Sequence, residues 1–406
     1  MWVLIKHELK RFFKSKISLI SIVLILVLNI FLGVNYKNEH KAATWEVYTN
    51  YAVESLETSK KSLQEKLDYL NTLNSSTDIT DDIVAEKKAT LSHIENAKNS
   101  LLTQDQLVTA LKDTDKRKYL ELDLASSLNT YKKDLERIKN HTNSTEPKDL
   151  ALSFLNLIMK QYVYDNNLMP QVDIKNNYSS LDLLMNLLKN YYILILPILF
   201  LIFASTSISG EISNNTCKLL FSQPIKKHKI ITSKIISSFI ISLFFILLVS
   251  ISTIIIGTIL NSFGELNYPV LMFENFSGKA IEPYSILEYT HIEPTKIVLM
   301  KLISYFLLVA LFINSMAILI SSLFKSKLTS IISSIIIFVG TYFTAPIITG
   351  IKAFNPMTYL SSYEIVTGIS SLTEPKVQLT LGIILLSSLL VIFTVLSALN
   401  VKKLHP

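Results

Sequence analysis

Six stretches of this chain run for at least 19 residues without an Asp, Glu, Lys, Arg or His: 17–36, 191–209, 235–264, 302–324, 328–351 and 377–401. Each is dominated by Leu, Ile, Val and Phe. A helix needs about 20 such residues to cross a bilayer. Buried strands of soluble proteins rarely exceed about 8. Six transmembrane helices are therefore expected, in an all-α polytopic membrane protein. The third run has 30 residues, so its last part is expected to tilt or to leave the membrane. The first run is too long for a signal peptide, and no small-x-small cleavage site follows it. Mean hydropathy is +0.39. Only 17% of residues are charged, against about 25% in a soluble chain.

The charges between the runs orient them. Segments 1–16, 210–234, 325–327 and 402–403 together hold 14 Lys and Arg but only two acids, Glu8 and Glu211. The alternate segments, 37–190, 265–301 and 352–376, hold 25 basic and 30 acidic residues. Lys and Arg close to span ends are retained on the cytoplasmic side. Both termini are expected there, and 37–190 outside. The formal net charge of +7 then divides into +12 inside and −5 outside and needs no nucleic-acid partner. The single Cys217 excludes an intrachain disulfide and a cysteine-based zinc site.

Block 37–190 contains no Gly and reads as helices, not sheets. Leu56, Leu63, Leu67, Leu70 and Leu73 recur at helical spacing, as do Ile83, Leu91, Ile94, Ala97 and Leu101, and Leu124, Leu128, Tyr131, Leu135 and Ile138. This is the stripe of amphipathic helices or a coiled-coil hairpin. Breaks are expected at 74–78 and 141–147. A further helix is expected over 148–164, and another from about Ser180 into the second span.

The first 16 residues also carry a pattern. Trp2, Ile5, Leu9, Phe12 and Phe13 fall on one side, with Lys6, Lys10, Arg11 and Lys14 largely on the other. This predicts an interfacial helix with its apolar face in lipid and its basic face toward anionic headgroups. A plain basic cluster that only sets topology is the other reading.

Loop 210–234 reads GEISNNTCKLLFSQPIKKHKIITSK. It is similar to the loop after the second span of ABC-2 type transporter permeases. There a Glu follows the span, then a Thr, a Leu pair, a Pro, a basic cluster, and a Lys opening the third span. Glu211, Thr216, Leu219, Leu220, Pro224, Lys226, Lys227 and Lys234 match. Asn215 stands where the family often has Gly, and Asn tolerates the same left-handed backbone. The six spans, the interfacial helix and Asn355–Pro356 in the last outside segment also resemble this family.

The resemblance implies a permease subunit of an ATP-driven exporter. A second permease half and separate ATPase subunits would complete it, and ATP and Mg would be held by the ATPase. It implies a coupling helix in 210–234, with Lys218, Leu219, Leu220 and Phe221 before Pro224, and Lys226 beyond it. It also implies an amphiphilic cargo and, with the Ile, Lys and Asn-rich composition of an AT-rich genome, a bacterial inner membrane.

Other chemistry is not encoded. The chain has no GxxxxGK[ST], HExxH or GxSxG. Glu288, His291 and Glu293 are the nearest approach to a metal set and read as a polar loop. No ionisable residue lies inside a span, unlike the usual ion-driven transporter. Asn29, Asn314, Ser238, Ser242 and Thr253 suit helix packing. Pro197 and Pro346 are placed to kink spans two and five. A non-transporting scaffold or receptor, with block 37–190 as its binding surface, has the same layout.

Overall fold

In lipid the backbone must satisfy its own hydrogen bonds, which leaves an apolar run little alternative to helix. The computed structural model describes residues 2–39, 41–42, 45–75, 81–139, 147–170, 177–216, 227–274, 289–344 and 352–403. Five of its helices are long and apolar enough to span: α2 (Lys16–Glu39), α10 (Lys227–Leu260), α11 (Thr295–Leu323), α12 (Lys327–Thr344) and α15 (Leu379–Lys403). Helix α11 is the axis of the bundle. In its most apolar window 67% of residues are buried, against 17% in α12 and 11% in α15. It packs against α8 (Tyr192–Ser205), α10, α12 and α15. The outward faces of α2, α12 and α15 are apolar and exposed, as lipid-facing surfaces must be.

The helix expected from about Ser180 into the second apolar run is not straight. It is a bent pair, α7 (Ser180–Asn190) followed by α8, with 64° between them. Helix α8 has 14 residues, about 21 Å, too short to cross alone. The bend arises because the start of α7 is pinned. The Ser179 hydroxyl accepts from the Asp182 N–H at 3.2 Å. Ser180 donates through N–H and hydroxyl to the carbonyls of Ser262 and Phe263. Gly257 of α10 leaves room for this approach: a Cβ there would stand 2.6 Å from Ser180 Cα. The turn falls at Tyr191, after the polar pair Lys189–Asn190, and not at Pro197, through which α8 continues. Pro346 lies outside the described residues.

Polar side chains inside the bundle join helices. Asn29 donates to Ser252 Oγ at 2.5 Å and accepts from the Tyr192 hydroxyl, tying α2, α8 and α10. Asn314 donates to Ser242 Oγ at 2.9 Å. Replacing Asn29 by Ala is expected to cost about 1 kcal/mol, the ordinary worth of such contacts in membranes. Thermal melting in micelles checks this, and Ser252→Ala should cost less.

Block 37–190 holds α3 (Trp45–Ser75), α4 (Asp81–Lys112), α5 (Lys116–Lys139) and α6 (Pro147–Asp165). Helices α3 and α4 pair along their length, as do α5 and α6. Leu56 and Ile94 are buried in these seams, whereas Leu91 and Leu128 are exposed. The base of the block is a small core of Tyr48, Leu111, Tyr119, Leu120 and Val163. There the Tyr48 and Tyr119 hydroxyls meet, and Trp45 Nε1 donates to the Leu111 carbonyl at 3.0 Å. The break between α4 and α5 has neither Gly nor Pro. Thr114 takes the left-handed conformation, φ 56°, and Asp115 Oδ1 caps α5 by accepting from the Lys118 N–H.

The block is not wholly helical. Strand β1 (Lys41–Ala42) pairs in parallel with β2 (Asn177–Tyr178), joining its two ends. A second small sheet pairs β3 (Pro269–Phe273) with β4 (Thr290–Pro294) antiparallel, next to the start of α11. The expected turns at 74–78 and 141–147 lie largely outside the described residues. Short helices α13 (Ser362–Thr367) and α14 (Ile369–Thr373) follow the 3-10 turns Lys352–Phe354 and Pro356–Leu360.

Candidate functional site

Helix α1 (Trp2–Lys14) lies at the opposite end of the bundle from the α3–α6 block. Its apolar side is divided. Ile5 and Phe12 are buried, Leu9 is half-buried, and Trp2 and Phe13 are exposed. Phe12 packs edge-on against Phe203 and Phe245, with centroids at 4.9 and 5.8 Å. Only part of the face predicted to lie in lipid is therefore free to do so. The rest docks on the bundle, because Glu8 shares the inward side with Ile5 and Phe12 and has a partner there.

That partner is Lys234, in the first turns of α10. Its side chain is 3% exposed, and its ammonium donates to Glu8 Oε1 at 2.7 Å and to the Ser207 carbonyl at 2.8 Å. Glu211, on the short helix α9 (Ser209–Ser213), lies 3.9 Å from the same ammonium. Arg11 Nη1 donates to Glu211 Oε1 at 2.7 Å, and Arg11 Nη2 is 3.6 Å from Glu8 Oε2. The Thr216 hydroxyl donates to the Glu211 carboxylate. Two acids and two bases thus close a neutral cluster joining α1, α9 and α10. Burial pushes the Glu211 carboxyl up, but Thr216, Lys234 and Arg11 together outweigh it and hold the group below its ordinary value.

The backbone around Glu211 is held as closely. Ser321 Oγ of α11 accepts from the N–H groups of Ile208 and Ser209 at 3.0 and 2.9 Å. Asn215 has φ 57°, the left-handed conformation that Gly adopts freely and Asn tolerates. Thr216 is the last residue described before the gap. Lys218, Leu219, Leu220, Phe221, Pro224 and Lys226 lie outside the described residues.

Sequence reasoning singled out Glu211 and Thr216 and matched Lys234 to the family pattern. It did not connect them to Glu8 and Arg11. One signal was present: Glu8 and Glu211 are the two acids in a segment set with 14 basic residues, and both enter the cluster. At the other end, His291 Nε2 lies 3.8 Å from Glu274 and 3.6 Å from Glu293, and Glu293 is paired with Lys301 at 2.6 Å. Among the described residues no three His, Cys, Asp or Glu side chains gather around a metal-sized space. Glu288 is not described.

Comparison with curated proteins and with solved structures finds no match. Comparison with family models finds one, described as an ABC-2 family transporter protein, over residues 2–400. The match takes in α1, all the spans and the intervening block. The chain belongs to the ABC-2 family of transporter proteins.

Proposed function

We propose that this transport permease is one half of an ATP-driven exporter of amphiphilic cargo, paired with a second permease half and energised by separate ATPase subunits that dock on 210–234. The α1 end then faces the bacterial cytoplasm, in keeping with 14 basic residues against two acids in the segments there. The observation that carries the reading is the Glu8–Arg11–Glu211–Lys234 cluster. In the sequence, 217–226 joins Thr216, which donates to the Glu211 carboxylate, to α10, which carries Lys234. A push on that stretch reaches α1, α9 and α10 through short, charge-assisted contacts, and α11 through Ser321. Such contacts suit a rigid-body transition between inward and outward states.

The test is co-expression with candidate ABC ATPases, followed by reconstitution. The triple variant Leu219→Ala, Leu220→Ala, Phe221→Ala is expected to lose permease-stimulated ATP hydrolysis by about tenfold or more, as loss of an apolar hot spot would, while melting as the parent does. Unchanged stimulation in that variant, or no association with any ATPase, would sink the reading.

A further inference from the structure

Beside the charged cluster is a cavity of about 280 Å³, bordered by α1, α2, α8, α9, α10 and α12. A single water needs only ~10–15 Å³ of such space. Phe12, Ile202, Phe203, Ile241 and Ile331 give it an apolar lining, and its charged rim carries Arg11 and Lys327 with Glu8, which is already paired with Lys234. Gly210 lies between these two cations. A Cβ there would be 3.4 Å from Lys327 Cε and 3.9 Å from Arg11 Nη2, so the absent side chain leaves them facing a common space.

The charges do not balance at this rim. Glu8 and Glu211 neutralise Arg11 and Lys234. Lys327 donates to the neutral amide of Asn214 at 2.9 Å, and it has no carboxylate within ion-pair distance among the described residues. Two of its three N–H bonds remain for another acceptor. The first turns of α2 and α12 border the same space, through Ser15, Ile17 and Lys327. Their positive dipole ends add to the preference for an anion. The location is the membrane edge, since Ile17 and Leu328 beside the cavity are 61% and 65% exposed and must be covered by acyl chains.

We propose that this cavity binds an anionic phospholipid, its phosphate held by Lys327 with Arg11, and its acyl chain passing along Ile331 and Ile17 into the bilayer. The bound lipid touches the helix that carries Glu211 and the helix that carries Arg11, so it bears on the same joint as the charged cluster without depending on the docking of an ATPase. Thr206 and Ser238, on the cavity wall, already donate to the carbonyls of Phe203 and Lys234. Their hydroxyl oxygens keep acceptor lone pairs, which suits a hydroxyl-bearing headgroup such as glycerol.

Delipidated, full-length protein in micelles, titrated with phosphatidylglycerol or phosphatidylcholine and read by native mass spectrometry, tests this. The parent is expected to retain phosphatidylglycerol about tenfold better, the scale of one lost charge-assisted contact. Lys327→Ala should abolish the preference and Lys327→Arg should keep it. Lys325→Ala, which alters an exposed neighbour, should leave it intact, and Ile331→Trp should lower retention of both lipids by filling the apolar part. The proposal is overturned if the preference survives Lys327→Ala or is lost equally in Lys325→Ala. It is also overturned if glycerophosphate displaces the lipid at equal concentration, which would leave an anion site without a lipid site. If Lys327→Ala spares lipid retention but abolishes ATPase association, the rim is a protein contact and the lipid assignment falls.

Discussion

Replacing Lys234 by Met is expected to destabilise the protein by about 3 kcal/mol, and removal of either acid by less. The reason is an asymmetry in buried ion pairs. Losing one partner strands the other charges out of water, at a cost of roughly 3–5 kcal/mol. Lys234 is 3% exposed, while Glu8 and Glu211 keep 15% and 12% of their side-chain surface. That residual access to water places the expected loss at the low end of the range. Met fills the same volume, so little of the loss is packing. The variant Glu8→Gln, Glu211→Gln, Lys234→Met should then recover most of the stability, because no charge is left stranded and Arg11, at 42% exposure, is solvated. Melting of the parent and these variants in micelles decides the matter. If the triple variant is as unstable as Lys234→Met, the cost is shape and not charge.

The same cluster sets an acid limit. The Glu211 carboxyl is held below its ordinary value of 4.5. A group whose folded value is depressed stabilises the fold at every pH above its unfolded value, and loses that contribution as pH falls through the folded one. The contribution of Glu211 should therefore hold from neutral pH down to 4.5 and fall only below it, and Glu211→Gln should soften the decline in melting there.

These contacts also mark where sequence reasoning succeeds and stops. The apolar runs at 17–36, 235–264, 302–324, 328–351 and 377–401 are legible because in lipid a long uncharged run has one backbone solution. Each contains most of a helix long enough to span. The bend at Tyr191 is not legible, because nothing local forces it. It follows from the packing of Ser180 against Gly257, 77 residues apart in the sequence. Pro197, the local cue for a kink, lies inside a continuous helix. The same holds between α4 and α5, where Asp113, Thr114 and Asp115 supply a turn and a cap that the search for Gly and Pro passes over.

At the candidate site the sequence pointed to Glu211 and Thr216 but not to Glu8 or Arg11, nor to how the charges pair. Glu8 and Glu211 are the two acids among 14 basic residues in those segments, and both are engaged in ion pairs. The choice of Lys234 for Glu8, and of Arg11 for Glu211, depends on α1 lying across α10. That packing comes from Phe12 against Phe203 and Phe245, which the amphipathic pattern alone assigns to lipid.

The second large effect is expected at the opposite end, from Gly368→Ala. Gly368 closes α13 and opens α14 with φ 76°, a conformation costing an L-residue about 1–2 kcal/mol. Space is the greater obstacle. A Cβ at this position would stand 1.7 Å from the carbonyl oxygen of Phe273, and no side chain can relieve a clash with backbone. Strand β3 would have to withdraw, and through its pairing with β4 it would pull on Thr295, where the central helix α11 begins. A loss of about 3 kcal/mol or more is expected, within the class of strained backbone sites. Gly340→Ala is the matched comparison. It lies in the last turns of α12 with φ in the ordinary range, and nothing stands within 4 Å of its Cβ position. There the added methyl removes only the entropic penalty of glycine in a helix, worth about 0.5–1 kcal/mol, so melting should hold or rise. The two substitutions add the same atoms and differ only in backbone conformation and neighbours. If Gly368→Ala melts with the parent, β3 and α13 do not meet in the folded protein, and the route from this end to α11 does not exist.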